Sequence, residues 1–224
     1  MSFQRMLMMA AREVRPYLPH PEALVCLYVP RWQEEHGNTL TDFSGNSNGY
    51  SPGTIIYNED GSVTQSGRWV SGALRTYVTG NNITTLVKRT INPDAPQGPG
   101  TSGAYGLGLI YSGSSTTYIH DVYYDYVKFA RAGMTDIRLT TDFDDDGWSA
   151  MRQDGGVAEY NGATYNVGNN QRISHIRINR VNVPLWQNIY VIAFWRVTLT
   201  DKEIEMAKRY LETASLEDYM MSRL

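Results

Sequence analysis

The chain has 224 residues, a formal net charge of −3, and 19% charged against 42% hydrophobic residues. This near-neutral balance excludes a field drawing the whole chain to nucleic acid or an anionic membrane, and the length fits one large β domain or two small ones. A single cysteine, Cys26, excludes an intrachain disulfide and a cysteine-rich metal site, and no apolar run approaches the ~20 residues of a membrane-spanning helix.

The start, MSFQRMLMMAAREVRPYLP, does not read as a secretory signal, because its apolar stretch is short and Arg12, Glu13 and Arg15 follow at once. Synthesis and first folding in a cytoplasm are expected. Residues 2–18 predict one short amphipathic helix: Phe3, Met6, Leu7, Ala10 and Val14 recur at helical spacing, and Pro16 and Pro19 stop it. Its Met-rich surface suits packing on the chain's own body or docking on another subunit. Phe3, Met6, Leu7, Met8 and Met9 are the candidate docking residues.

From Ala23 to Arg196, strand-like runs alternate with turn signals. ALVCLYV (23–29) reads as a buried strand that makes Cys26 an inert core thiol. GTIIYNEDGSVTQ (53–65) reads as a hairpin turning at Asp60-Gly61. ITTLVKRTI (83–91) is a β-branched strand, and a Gly/Pro-rich loop follows it to residue 103. AYGLGLIYSG (104–113) is a further strand, and SSTTYIHDVYYDYVKFA (114–130) carries one or two more. VAEYNGATYNV (157–167) is the clearest hairpin, with Asn161-Gly162 between alternating residues. RISHIRIN (172–179) alternates, and NIYVIAFWRV (188–197) is a long apolar strand suited to a sheet centre. The period then changes. TLTDKEIEMAKRYLETA (198–214) predicts a helix with a Thr200/Glu203 capping box and a buried face of Ile204, Ala207, Leu211 and Ala214.

Three stretches resemble one family. TLTDFSGNSNGY (39–50) resembles the D-x-SGN-x-N-G segment of laminin-G-like domains in the concanavalin A-like lectin/glucanase superfamily. VAEYNGATYNV resembles that family's y-v-N-G hairpin, and the run from NIYVIAFWRV into LTDKEI resembles its closing strand and helix. The match is ordered correctly over most of 23–211 and weakens between 114 and 156. It implies a jelly roll of two curved antiparallel sheets. The first ten residues also resemble the starts of structural proteins of bacteriophages that infect gut Bacteroidales, which implies a virion component docked by its leader.

The expected fold is therefore all-β, a two-sheet antiparallel jelly-roll sandwich with short N-terminal and C-terminal helices. Its parts are a docking segment at 1–20, the sandwich at 21–214 and a C-terminal tail at 215–224. The E-x-D-x-x-E string of laminarinase-type glucanases, which sets two carboxylates on one strand, does not occur. Nor do G-x-S-x-G, H-E-x-x-H or a P-loop. The expectation is a non-enzymatic interaction module of a virion. A carbohydrate-binding adhesin of a bacterial surface is the alternative, and a divergent glycanase or lyase the third reading. The expected partners are other virion or surface proteins in a multi-copy assembly and glycans, without nucleic acid. Tyr118, Tyr123, Tyr124, Tyr126 and Asp121 form the candidate sugar platform, because tyrosine faces stack on sugar rings and carboxylates bond hydroxyls. Trp32, Trp69, Trp148 and Trp186 are further candidate platforms. No cofactor is required. TDFDDDGW (141–148) places Asp142, Asp144, Asp146 and Gly147 at positions 1, 3, 5 and 6 of a calcium loop, but Gln153 stands where the twelfth-position Glu belongs. An acidic turn and a shorter calcium loop both stay open.

Overall fold

Runs of alternating and β-branched residues become strands, and strands form as well where the sequence marked none, at Val70–Thr79, Ile137–Thr140 and Trp148–Asp154. A computed structural model describes residues 16–46, 48–50, 53–66, 70–79, 82–91, 107–111, 118–122, 126–129, 137–140, 147–160, 162–168, 172–178 and 187–223. Within them lie two antiparallel sheets. The first runs in the order β14 (Ala163–Asn166), β13 (Val157–Tyr160), β12 (Trp148–Asp154), β7 (Ile83–Ile91), β16 (Gln187–Trp195), β5 (Val63–Ser66), β4 (Thr54–Tyr57), and β1 (Leu24–Tyr28) also pairs with β16. The second runs β11 (Ile137–Thr140), β10 (Tyr126–Phe129), β9 (Tyr118–Val122), β8 (Leu107–Tyr111), β15 (Arg172–Ile178), β6 (Val70–Thr79), β3 (Gly49–Tyr50), β2 (Thr39–Leu40).

The most apolar strand takes the centre of the first sheet, as its composition requires. Strand β16 pairs with β7 on one side and with β1 and β5 on the other. Strand alternation sends successive side chains to opposite faces, and a register shift between Ile189 and Val191 re-phases the pattern. Ile189, Ile192 and Phe194 thereby enter the core between the sheets, joined by Ile83, Val87 and Met151 and by Phe129 from the second sheet. Val191, Ala193 and Trp195 point the other way, with Leu86 and Trp148, and meet the C-terminal helices. The central strands of the first sheet are thus covered on both faces.

The helix α1 (Asp201–Thr213) begins at the predicted capping box: Thr200 accepts from the Glu203 amide while Glu203 accepts from the Thr200 amide. Ile204, Ala207 and Leu211 are buried against the sheet, and each large apolar side chain contributes about 1.5–3 kcal/mol. Arg31 satisfies the orphan carbonyls at the far end, donating from Nη2 to Leu211 O (2.8 Å) and Ala214 O (2.7 Å). Residues 215–223 carry a second short helix. A second capping box at Ser215 and Asp218 opens α2 (Leu216–Ser222), and its Tyr219 is fully buried, stacked 5.4 Å from Trp32. The helix expected over residues 2–18 falls almost wholly on residues outside those described. Of its end, Leu18 is buried with the helices and Pro19 O accepts from Trp195 Nε1 at 2.9 Å.

Candidate functional site

The D-x-SGN segment, one of the stretches that resemble the family, is a structural lock. Asp42 is almost fully buried. Its Oδ1 accepts from Leu27 N (2.8 Å) and Ser44 N (2.9 Å), and its Oδ2 from Ser44 Oγ (2.9 Å) and Asn46 N (3.1 Å). Asn46 Nδ2 then donates to Leu24 O at 2.9 Å, and Asn48 Oδ1 accepts from Asp42 N at 3.1 Å. Asp42 and Asn46 tie the loop to β1, and Asn48 closes it on Asp42. Beside it, burial and the charge of Asp42 raise the Cys26 thiol well above its ordinary range, so Cys26 is the inert core thiol expected.

In TDFDDDGW, Asp142, Asp144 and Asp146 lie outside the described residues, whereas Gly147 is described and has a structural reason. Its φ is +79°, and a Cβ there would stand 2.4 Å from Arg89 O. Gly147 O also accepts from Arg89 N at 3.0 Å. The glycine lets the chain enter β12 flush against β7. Among the described residues, no three His, Cys, Asp or Glu side chains group as metal ligands. The Arg89 side chain is itself buried, and burial lowers its guanidinium to about 9, still a cation at neutral pH.

The candidate sugar platform is described in part. Tyr118 opens β9 and pairs with Ile110, Tyr126 opens β10 and pairs with Thr140, and Asp121 lies opposite Lys128, which lies opposite Arg138. Tyr123 and Tyr124 lie outside the described residues, as do the docking candidates Phe3, Met6, Leu7, Met8 and Met9. Of the tryptophan candidates, Trp32 and Trp148 are corrected: both are buried, 5% and 1% exposed, and offer no ring face to a sugar. Trp69 and Trp186 lie outside the described residues.

A groove that the motifs did not point to lies on the helix side of the first sheet. It encloses about 250 Å³ between α1 and the β12–β13 hairpin. Asp154 and Val157 close that hairpin around Gly155 (φ +59°) and Gly156 (φ +134°), which register Arg152 opposite Glu159. Arg152 is only 14% exposed and is held from three sides: by Glu159, by Leu199 O (3.1 Å) and by Asp201 Oδ1 (2.7 Å). Lys208, 13% exposed, contacts Glu205 at 3.1 Å. Ala150 and Ile204 supply apolar lining. Asp201, Glu205 and Lys208 recur at helical spacing, and Asp-Gly-Gly fixes the cross-strand pair, so the signal was present in the sequence as a turn and a charged stripe.

No protein-family model matches the chain, and no curated protein sequence matches it. Solved structures do. The chain is similar to the Trypanosoma rangeli sialidase in complex with sialic acid, with TM-score 0.61 and 10% identity over 89% of this chain and 34% of that one. It is also similar to the binding domain of botulinum neurotoxin DC in complex with SialylT, with TM-score 0.60 and 13% identity over 86% of this chain and 52% of that one. The botulinum neurotoxin serotype D binding domain gives TM-score 0.61 and 12% identity, again over 86% and 52%. The chain spans about a third of the sialidases and about half of the toxin domains. At such identities the likeness shows the fold: an antiparallel β-sandwich. It also corrects the expectation that the chain is not an enzyme. The missing E-x-D-x-x-E string spoke only against laminarinase-type chemistry, and the matched sandwich occurs in sialidase chains as well as in toxin binding domains.

Proposed function

We propose that this chain is a glycan-binding β-sandwich. The observation that carries the reading is the likeness over most of the chain to structures solved with sialic acid and SialylT. Two places support it. One is the β9–β10 segment, where Tyr118, Asp121 and Tyr126 join Tyr123 and Tyr124 in a run suited to ring stacking and hydroxyl bonding. The other is the polar groove beneath α1. The finer reading places the sandwich among the concanavalin A-like domains, on a bacteriophage virion in many copies or on a bacterial surface, docked by its Met-rich leader. Its support is the sequence resemblance.

A glycan array on the full chain, followed by calorimetry on its hits and a turnover assay on the same glycans, tests the reading. Binding to at least one glycan class is expected, weakened in Tyr118→Ala or Tyr126→Ala if β9–β10 is the platform. A blank array and flat calorimetry would sink the proposal. The docking part is tested by removing residues 1–15. Truncation must stop there because Leu18 packs in the core. The shortened chain should fold and lose its assembly, and normal assembly would refute docking.

A further inference from the structure

Resting on the glycan reading above, we infer that the groove between α1 and the β12–β13 hairpin is a sugar subsite that takes a single non-anionic ring, neutral or amino-substituted, in preference to a sialic acid. Size sets the first limit. The groove's 250 Å³ corresponds to about eight waters at ~30 Å³ each, which is room for one pyranose ring.

Charge sets the second. The lining carries three carboxylates, Glu159, Asp201 and Glu205, against two cations, Arg152 and Lys208. Both cations already face a carboxylate. The carboxylate of a sialic acid only accepts hydrogen bonds, so seating it on either cation would displace a protein carboxylate and leave the two side by side. A hydroxyl both donates and accepts. It can add to an existing ion pair, accepting from the guanidinium or ammonium while donating to a carboxylate oxygen. Glu159 and Asp201 engage Arg152 through Oε1 and Oδ1; among the described residues none donates to Glu159 Oε2 or Asp201 Oδ2. Two carboxylates bracketing one guanidinium offer that arrangement twice, the pattern a vicinal diol matches. A protonated amine donates only, and the surplus carboxylate favours it.

Preorganisation completes the case. Arg152 is held by three acceptors from β13, the turn before α1 and α1 itself, so little side-chain ordering remains for the ligand to drive. Ala150 and Ile204 give the ring's C–H face an apolar wall.

Ligand-observed NMR and calorimetry on the full chain with glucosamine, galactose and sialic acid test this, using Glu159→Gln and Ala150→Leu. The first removes one charge at nearly constant shape. The second fills the groove and leaves every charge in place. Glucosamine or galactose should bind at least tenfold tighter than sialic acid, and each variant should weaken that binding at least tenfold, with the thermal melt confirming the fold. Neutral or amino sugars bound equally by both variants would overturn the groove as the subsite while leaving the glycan reading intact. Tighter binding of sialic acid would overturn the ligand class. No binding by any sugar, in solution or on the array, would overturn both readings.

Discussion

Asp42→Asn is a sharp test of the lock between β1 and the loop at 41–48, because it changes charge and hydrogen-bond direction at nearly constant volume. Among the described residues the carboxylate accepts from Leu27 N and Ser44 N at Oδ1 and from Ser44 Oγ and Asn46 N at Oδ2. An amide must turn an NH2 group toward one of those pairs. On the Oδ1 side both partners are backbone N–H groups, which cannot reverse. On the Oδ2 side the Ser44 hydroxyl can rotate to donate to Val25 O, already 3.3 Å away, but Asn46 N is left facing a donor. The amide therefore settles with its NH2 toward Asn46. One unsatisfied donor costs about 1–3 kcal/mol, and the loss of charge from the remaining bonds adds to it, for a total near 3 kcal/mol. At about 2–4 °C per kcal/mol for a domain of this size, the melting temperature should fall by ~6–12 °C. Ser44→Ala should cost about 1 kcal/mol. Asp42→Asn combined with Asn46→Ala should cost less than the sum, since both act on one network. Thermal and urea unfolding followed by circular dichroism measure all of these. An Asp42→Asn midpoint within ~2 °C of the parent would refute the lock.

Gly147→Ala and Gly162→Ala both place a side chain at positive φ, +79° and +75°, but only at Gly147 would the Cβ meet backbone, 2.4 Å from Arg89 O; Gly162→Ala should cost about 1–2 kcal/mol of left-handed strain and Gly147→Ala clearly more, and equal melting temperatures would contradict the close packing of β12 on β7. Acid should destabilise the fold in a defined window. The Ser62 and Tyr190 hydroxyls hold Asp60 below the usual carboxylate range, and the Thr200 amide and hydroxyl hold Glu203 below it. Because the folded values are the lower ones, the unfolded chain binds more protons as pH drops below ~4.5, so this stability is present above that pH and is lost as pH falls through the folded values. The urea midpoint should fall between about pH 5 and pH 3, less steeply in Tyr190→Phe combined with Thr200→Val; an identical slope in that variant would assign the acid loss elsewhere.

Much of the sheets, and α1, was legible because the signals are local, whereas β6, β11 and β12 were not read as strands. A hairpin needs only a short turn signal between alternating runs, and β4 pairs with β5 across Asp60-Gly61 just as β13 pairs with β14. The capping box of α1 needs only residues three apart. Helix α2 was missed because seven residues carry too little period to register. Its stability comes from Tyr219 against Trp32 and from Tyr219 Oη donating to Phe43 O at 3.0 Å, contacts 176 and more residues apart in the chain. Trp32 and Trp148 were misread for the same reason. A tryptophan's sequence neighbours do not say which layer covers it, and here the C-terminal helices bury both.

The same layering narrows where a ligand can sit. Among the described residues, the centre of the first sheet is filled on one face by the sandwich core and on the other by α1 and α2. What remains on that sheet is the boundary where α1 stops covering it, at β12 and β13 near the sheet edge. There the helix presents its charged stripe rather than its apolar one, and the strands present Arg152 and Glu159. A covered sheet thus turns polar at its margin: the periodicity that buries Ile204, Ala207 and Leu211 leaves Asp201, Glu205 and Lys208 on the flank. The aromatic density of the tyrosine-rich strands is visible in one dimension. The groove arises only when a helix flank meets a hairpin about 45 residues away, so its residues become a set only in the folded chain.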